Sequence, residues 1–502
     1  MAITRRDFLT LTAHSNTSQS NERNRSQQRQ VGPVHHLLNR MSWGVRPSEL
    51  SRAQSMGYEA TLEEQLAYEQ IDDSATNKLI QRNAAILSLD RHAIHRMDDS
   101  EWRSHFALIK GMVLRAVHSQ RQLFERMVEF WTDHFNIPSE EHAADLVLFQ
   151  REAIRKHAMG NFRDLLIATA KQPAMLTYLD NFVNYKDEPN ENYARELMEL
   201  HSMGVDGGYS EQDVKEVARA FTGWTIHDKV SSGFYFNPEI HDEESKTVLG
   251  HNLPSGRGIE DGLHVLAILA NHPATARYIC TKLCIRFVSD SPPQTLVESM
   301  SSIWQQSRGD IKSVLRHLFL SDAFKASVAQ KMRRPLDFFI GAMRATSANI
   351  REVFQMEEML QQLGQVPYGW LPPNGYPDFA AAWISTSGLL ARWNVATAFT
   401  HSAHSARHTS TWEYNDGGEG ISNELRQPIG TPQTTGELVD AVAAQVFGAP
   451  LSVQDRQPFL DYVTDAGDGA GSAEIPVSPH LLGQKLGSLY GLMLASPLYQ
   501  WR

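Results

Sequence analysis

The sequence predicts an all-α protein: a large multi-helix body with a small irregular or β insertion at about residues 227–254. Three observations carry this. Apolar residues recur at helical spacing in nearly every stretch free of Gly and Pro. Asn, Ser or Pro open those stretches and Gly closes them. Short aromatic or β-branched runs bounded by turn residues gather in one place, at Gly233-Phe234-Tyr235-Phe236 and Lys246-Thr247-Val248-Leu249.

Composition fits that class. A chain of 502 residues can bury a large core, and 41% hydrophobic with 21% charged residues is a globular balance. Net charge is −11, acids and bases are interspersed, and no long Lys/Arg run exists, which argues against nucleic acid as the main partner. No apolar run of about 18 residues is present, so no transmembrane segment is expected. The two cysteines, Cys280 and Cys284, lie at i,i+4 on a helical stretch and read as small core groups.

In chain order, Thr4-Arg5-Arg6-Asp7-Phe8-Leu9 resembles a twin-arginine export signal. The polar stretch from His14 supplies no apolar h-region, so residues 1–33 are expected to be a disordered, uncleaved tail. The main helical domain is expected at 34–402. Within it, RQLFERMVEFWTDHF places Leu123, Met127, Phe130 and His134 on one seam, with Asp133 beside them on a more exposed face. Asn161 caps a helix that Pro173 interrupts. Pro273 starts another helix. The uncharged run Pro367–Pro377 reads as an ordered loop, able to wall a pocket or simply to pack on the surface. Residues 403–435 read as a linker or mobile excursion, and 436–502 as a C-terminal helical segment packed on the main domain. SVLRHLFLSDAF (Ser313–Phe324) and SLYGLMLASPLY (Ser488–Tyr499) echo each other, each an apolar helix ending at Ser with an aromatic residue three positions on.

The densest polar stretch runs from Tyr178 to Ile226. Tyr193 to Met203 reads as one helix with Tyr193, Leu197, Met198 and His201 on its apolar side. Glu191, Arg195, Glu196 and Glu199 share the other side. Those charges suit either i,i+4 ion pairs on a solvated face or the wall of a site. Gly204 closes the helix, and Ser210-Glu211-Gln212-Asp213 opens the next with a capping box.

Nucleotide-binding glycine motifs, the nucleophile elbow and the HExxH zinc motif are all missing from the sequence. What remains is a scatter of histidines and carboxylates. Glu196, Glu199 and His201 are the catalytic candidates. His134, His201, His241, Asp133, Asp242 and His251 are the candidate ligands of a divalent metal, assembled from facing elements. His201 and Glu199 point to different sides of their helix, so one ion would not take both.

NENYARELMELHSMGVDGGYSEQDVKEVARAFTGW, with HHLLNRMSWGVRP, EFWTDHFNIP, HDEESKTVLGH and PPNGYPDFAAAWIST in order, resembles a bacterial family known only as domain of unknown function 1800. The resemblance runs from about His35 to the end of the chain. It implies a mostly helical, frequently exported protein with no established reaction, often encoded beside a sulfatase-like protein. Export would place the protein in the periplasm; the missing h-region points to the cytoplasm. Two function classes follow. One is a metal- or acid/base-dependent enzyme, favoured by interior histidines near a dense polar stretch. The other is a non-catalytic helical scaffold that binds a partner, such as the sulfatase-like neighbour.

Overall fold

The computed structural model describes residues 31–227, 233–348, 353–405, 425, 429–466 and 470–502. Most of the expected tail, and most of the expected linker at 403–435, lie outside the described residues. The fold is mainly α. Helices succeed one another from Pro33–Met41 to Pro497–Gln500, and among the described residues the strands make only two small antiparallel pairs.

Those pairs form two hairpins at the expected irregular or β insertion. Trp224–Ile226 pairs with Phe234–Phe236, and Lys246–Val248 pairs with His251–Leu253. Leu249 is in the second turn, not the strand. Leu249 and Gly250 both take positive φ (50° and 77°), as a two-residue hairpin turn of matching twist requires. The Leu249 amide donates to Asp213 Oδ1 at 2.7 Å, which ties the turn to the neighbouring helix.

The polar-stretch helix is shorter than its periodicity suggests, Asn192–Glu199. Beyond Glu199 the chain widens. His201 N–H donates to the Glu196 carbonyl and Met203 N–H to the Met198 carbonyl, five residues back in each case. The Ser202 hydroxyl takes the Leu197 carbonyl at 2.6 Å. Gly204, at φ 82°, closes the end with a bond to the Met198 carbonyl. The Ser210–Asp213 capping box, the Asn161 cap and the Pro273 start are all present.

The helix at the centre is Gln122–His134. Eleven of its residues are buried, among them Glu125, Arg126 and Glu129. A helix surrounded on all sides must pair its charges internally, because an unpaired buried charge costs several kcal/mol. The partners come from far along the chain. Arg155 grips Glu125 with two bonds of 2.7 and 2.8 Å. Arg126 pairs with Asp337, while Arg286 and Arg334 both pair with Glu129. Asp133 belongs to this network rather than to an exposed face, with its side chain 13% exposed.

Arg334 and Asp337 open the buried Pro335–Thr346 helix, against which Thr386–Ser405 and Thr435–Phe447 pack. Pro479–Ala495 lies along Thr386–Ser405. Arg502 reaches Asp337 at 3.1 Å, and its backbone exchanges hydrogen bonds with Lys331.

Candidate active site: a carboxylate pair beside a basic cavity

The Pro367–Pro377 loop is seated on the end of the central helix. Asn136 Nδ2 donates to the Trp370 and Pro372 carbonyls at 2.7 and 2.8 Å. Tyr376 N–H donates to Asp133 Oδ1 at 2.8 Å, and Tyr178 O–H donates to the Leu371 carbonyl at 2.6 Å. Beneath the loop a narrow cleft is lined by Glu129, Thr132, Asp133, Asn136, Gln365, Tyr368 and Tyr376.

Two carboxylates face this cleft and compete for the same two arginines. Glu129 has the better share. Burial alone would raise its carboxyl, but Arg286, Arg334 and Arg126 outweigh burial and hold it below the usual range. Asp133 keeps only distant bonds of 3.4 Å to Arg286 and Arg334. Burial, helped by the Glu129 charge, raises its carboxyl to about 6. One carboxylate is thus fixed as an anion and its neighbour is poised to exchange a proton near neutral pH. Environments that push two carboxyls apart in this way assign acid and base roles.

Glu129, Met112 and Tyr368 also line a larger cavity of about 330 Å³. That volume suits a small molecule. Its walls come from Ser100–His118, from the central helix and from the helical run Ala143–His157, whose middle, Phe149–Ile154, is a π-helix. Such widened turns occur often at functional sites. Tyr368 holds φ 62°, an uncommon conformation for a side-chain-bearing residue, which the clamped loop maintains. Burial raises its phenol above the ordinary value, so the hydroxyl remains a donor.

His134 and His201 are buried and adjacent, with ring centroids 6.2 Å apart. Lys282 Nζ donates to His134 Nδ1 at 3.0 Å, and His134 Nε2–H donates to the His201 carbonyl at 3.1 Å. Both ring nitrogens of His134 are therefore occupied. Burial, reinforced by Lys282, lowers His201 to about 3 and His134 well below its ordinary value. His241 has different neighbours. Its Nδ1–H donates to the Thr222 carbonyl at 2.7 Å, and its Nε2 lies 3.6 Å from Asp261. Asp242 accepts from Arg219 Nε at 2.7 Å, and His251 is exposed at the start of its strand. Arg195 engages Glu191 at 3.1 Å and Glu199 at 3.6 Å, and grips Glu211 with bonds of 2.9 and 2.8 Å. Glu196 is half-buried, and burial together with Glu199 raises its carboxyl. Among the described residues no group of three or more His, Cys, Asp or Glu side chains is placed to hold a metal ion.

Sequence reasoning singled out Asp133, as a metal ligand, and the loop that carries Tyr368, but passed over Glu129, Arg115, Gln150 and Arg155. Glu125, Glu129 and Asp133 do lie at i, i+4, i+8 on one helix, a visible row of acids. Nothing in the sequence shows that the row is buried, since its arginine partners are 30 to 205 residues away.

Among the described residues no helix is long and apolar enough to cross a membrane. No curated protein and no solved structure matches the chain. Residues 36–501, nearly its whole length, match the family described as "Protein of unknown function (DUF1800)", and the chain belongs to that family.

Proposed function

We propose that the protein is an acid/base enzyme whose proton carrier is Asp133, with Glu129 as its fixed anionic neighbour and the adjoining cavity as the place where substrate sits. One observation carries the reading: two carboxyls line one cleft, and their surroundings separate their proton affinities, with Asp133 near 6. His134 and His201 act behind the site, as neutral, buried groups that position the end of the central helix. Glu196 and Glu199 flank the polar helix on the outside. The acid/base half of the sequence expectation is kept in this reading. The metal half has no converging set of three ligands among the described residues to carry it. We further infer that 34–402 and 436–502 work as one unit, because the buried Asp337 pairs with both Arg126 and Arg502.

The test is turnover of chromogenic esters, glycosides, phosphomonoesters and sulfate esters by the purified full chain and by Asp133→Asn. Activity that falls about a hundredfold or more in the variant supports the reading. Equal activity in both overturns it.

A second reading, a scaffold that docks the sulfatase-like neighbour, is favoured by exposed apolar side chains. Trp102 and Phe354 are about half exposed and cluster on Phe106, and Leu371, Phe379, Ile384 and Leu390 are also exposed. It predicts no turnover in any class and stable co-purification with that neighbour.

A further inference from the structure

We propose that the 330 Å³ cavity is an oxyanion-binding site in which the Arg115 guanidinium and the Tyr368 phenol hold a carboxylate, phosphate or sulfate group of a small organic molecule. This deepens the acid/base reading, and rests on it only in calling that molecule a substrate.

The part-buried charges around the cavity point to Arg115 as the recognition group; Lys156, also on the wall, is exposed to solvent. Glu125 is taken by Arg155, and Glu129 by Arg286 and Arg334. Arg151 donates to the Leu87 and Leu89 carbonyls and to Glu152. Arg115 lines the same cavity with no hydrogen-bond or ion-pair partner among the described residues. Burial lowers it to about 10, so it stays a cation at neutral pH. A part-buried guanidinium with no carboxylate in contact is costly, since Glu125 and Asp73 act on it only at a distance, and an anion in the cavity relieves that cost. Two residues of the same wall carry neutral donors. The Tyr368 hydroxyl has no partner among the described residues and feels Arg115 and Arg155 most among its charged neighbours. Gln150, 6% exposed, leaves its Nε2 donor unpaired while its Oε1 accepts from Thr132. A guanidinium and a phenol on one wall, with an amide N–H buried behind it, are all donors, and donors grouped about one space select an acceptor-rich group. Trp43, Leu108 and Val128 cover other parts of the wall, which suits an organic body on the anion.

The probes are phenyl phosphate, phenyl sulfate and benzoate, with benzamide as the neutral isostere, titrated into the full chain at constant ionic strength and read by calorimetry and thermal shift. The proposal expects saturable binding of at least one anion and none of benzamide. Which anion binds separates the carboxylate, phosphate and sulfate sources. Arg115→Gln should weaken that binding about tenfold or more, the size of a lost charge-assisted contact. Tyr368→Phe should weaken it less, and Arg195→Gln, a surface control, should leave it unchanged. If Arg115→Gln does not fold, Tyr368→Phe carries the test, and wild-type affinity in that variant counts against the site. No saturable binding, or equal binding by Arg115→Gln, overturns the proposal. Asp133-dependent turnover of a neutral substrate, with no saturable anion binding, would overturn it while leaving the acid/base reading standing. Anion binding without Asp133-dependent turnover would do the reverse.

Discussion

A Cβ placed on Gly375 would lie 2.1 Å from the carbonyl oxygen of Asp133. Gly375 also holds φ 73°, so both space and conformation demand glycine there. Gly375→Ala should therefore unseat the loop from the helix end. We expect a loss of about 1–3 kcal/mol in urea denaturation. Gly250→Ala, also at positive φ but with nothing within 4 Å of its Cβ, should cost less. Equal losses would show that loop seating adds nothing beyond backbone strain.

Glu129 is a counter-ion of two buried arginines, which it shares with Asp133 and Asp378. Glu129→Ala leaves Arg286 and Arg334 short of charge, and removing one partner of a buried network costs about 3–5 kcal/mol. Arg52→Ala, whose partner Glu64 is on the surface, should cost well under about 1 kcal/mol. Comparable losses for the two would contradict the network's buried, coupled character.

Stability should carry two opposite pH signatures. His201 binds its proton near 3 in the native chain and near 6.5 when unfolded, so the unfolded chain holds more protons between those values. Its contribution is present above 6.5 and lost as pH falls. His201→Gln should then lose less stability than the wild type between pH 6.5 and pH 4. Asp133 runs the other way, with a native value of about 6 against an ordinary 3.8. The native chain holds the extra proton between these, so this contribution is present below 3.8 and lost as pH rises to 6. Relative to the wild type, Asp133→Asn should gain stability as pH rises from 4 to 6. Urea midpoints at successive pH values measure both, and a difference independent of pH would refute either assignment.

Much of the fold could be read from periodicity and caps, because those signals are local. The Ser210 capping box, the Asn161 cap and the Pro273 start are set by residues within one turn. The echo between Ser313–Phe324 and Ser488–Tyr499 also has a structural meaning. Ser321 and Ser496 each end one helix and begin a short second one, which buries Phe324 in one case and Tyr499 in the other. The site was less legible. His134 and His201 were correctly expected inside, because each interrupts an apolar face. Glu129 was not singled out, because a carboxylate on a helix reads as solvent-facing until its partners are known, and Arg286 and Arg334 lie 157 and 205 residues away. The π-helix at Phe149–Ile154 and the positive φ of Tyr368 leave no periodic trace at all.

The central claim is that Asp133 exchanges the proton in catalysis. It is tested most directly by the pH dependence of kcat/KM, on whichever substrate class the full chain turns over, for the wild type and Asp133→Asn. The account predicts that the wild-type rate follows a group titrating near 6, and that this ionisation is missing from the residual rate of the variant. A profile with the same ionisation in both proteins would contradict it.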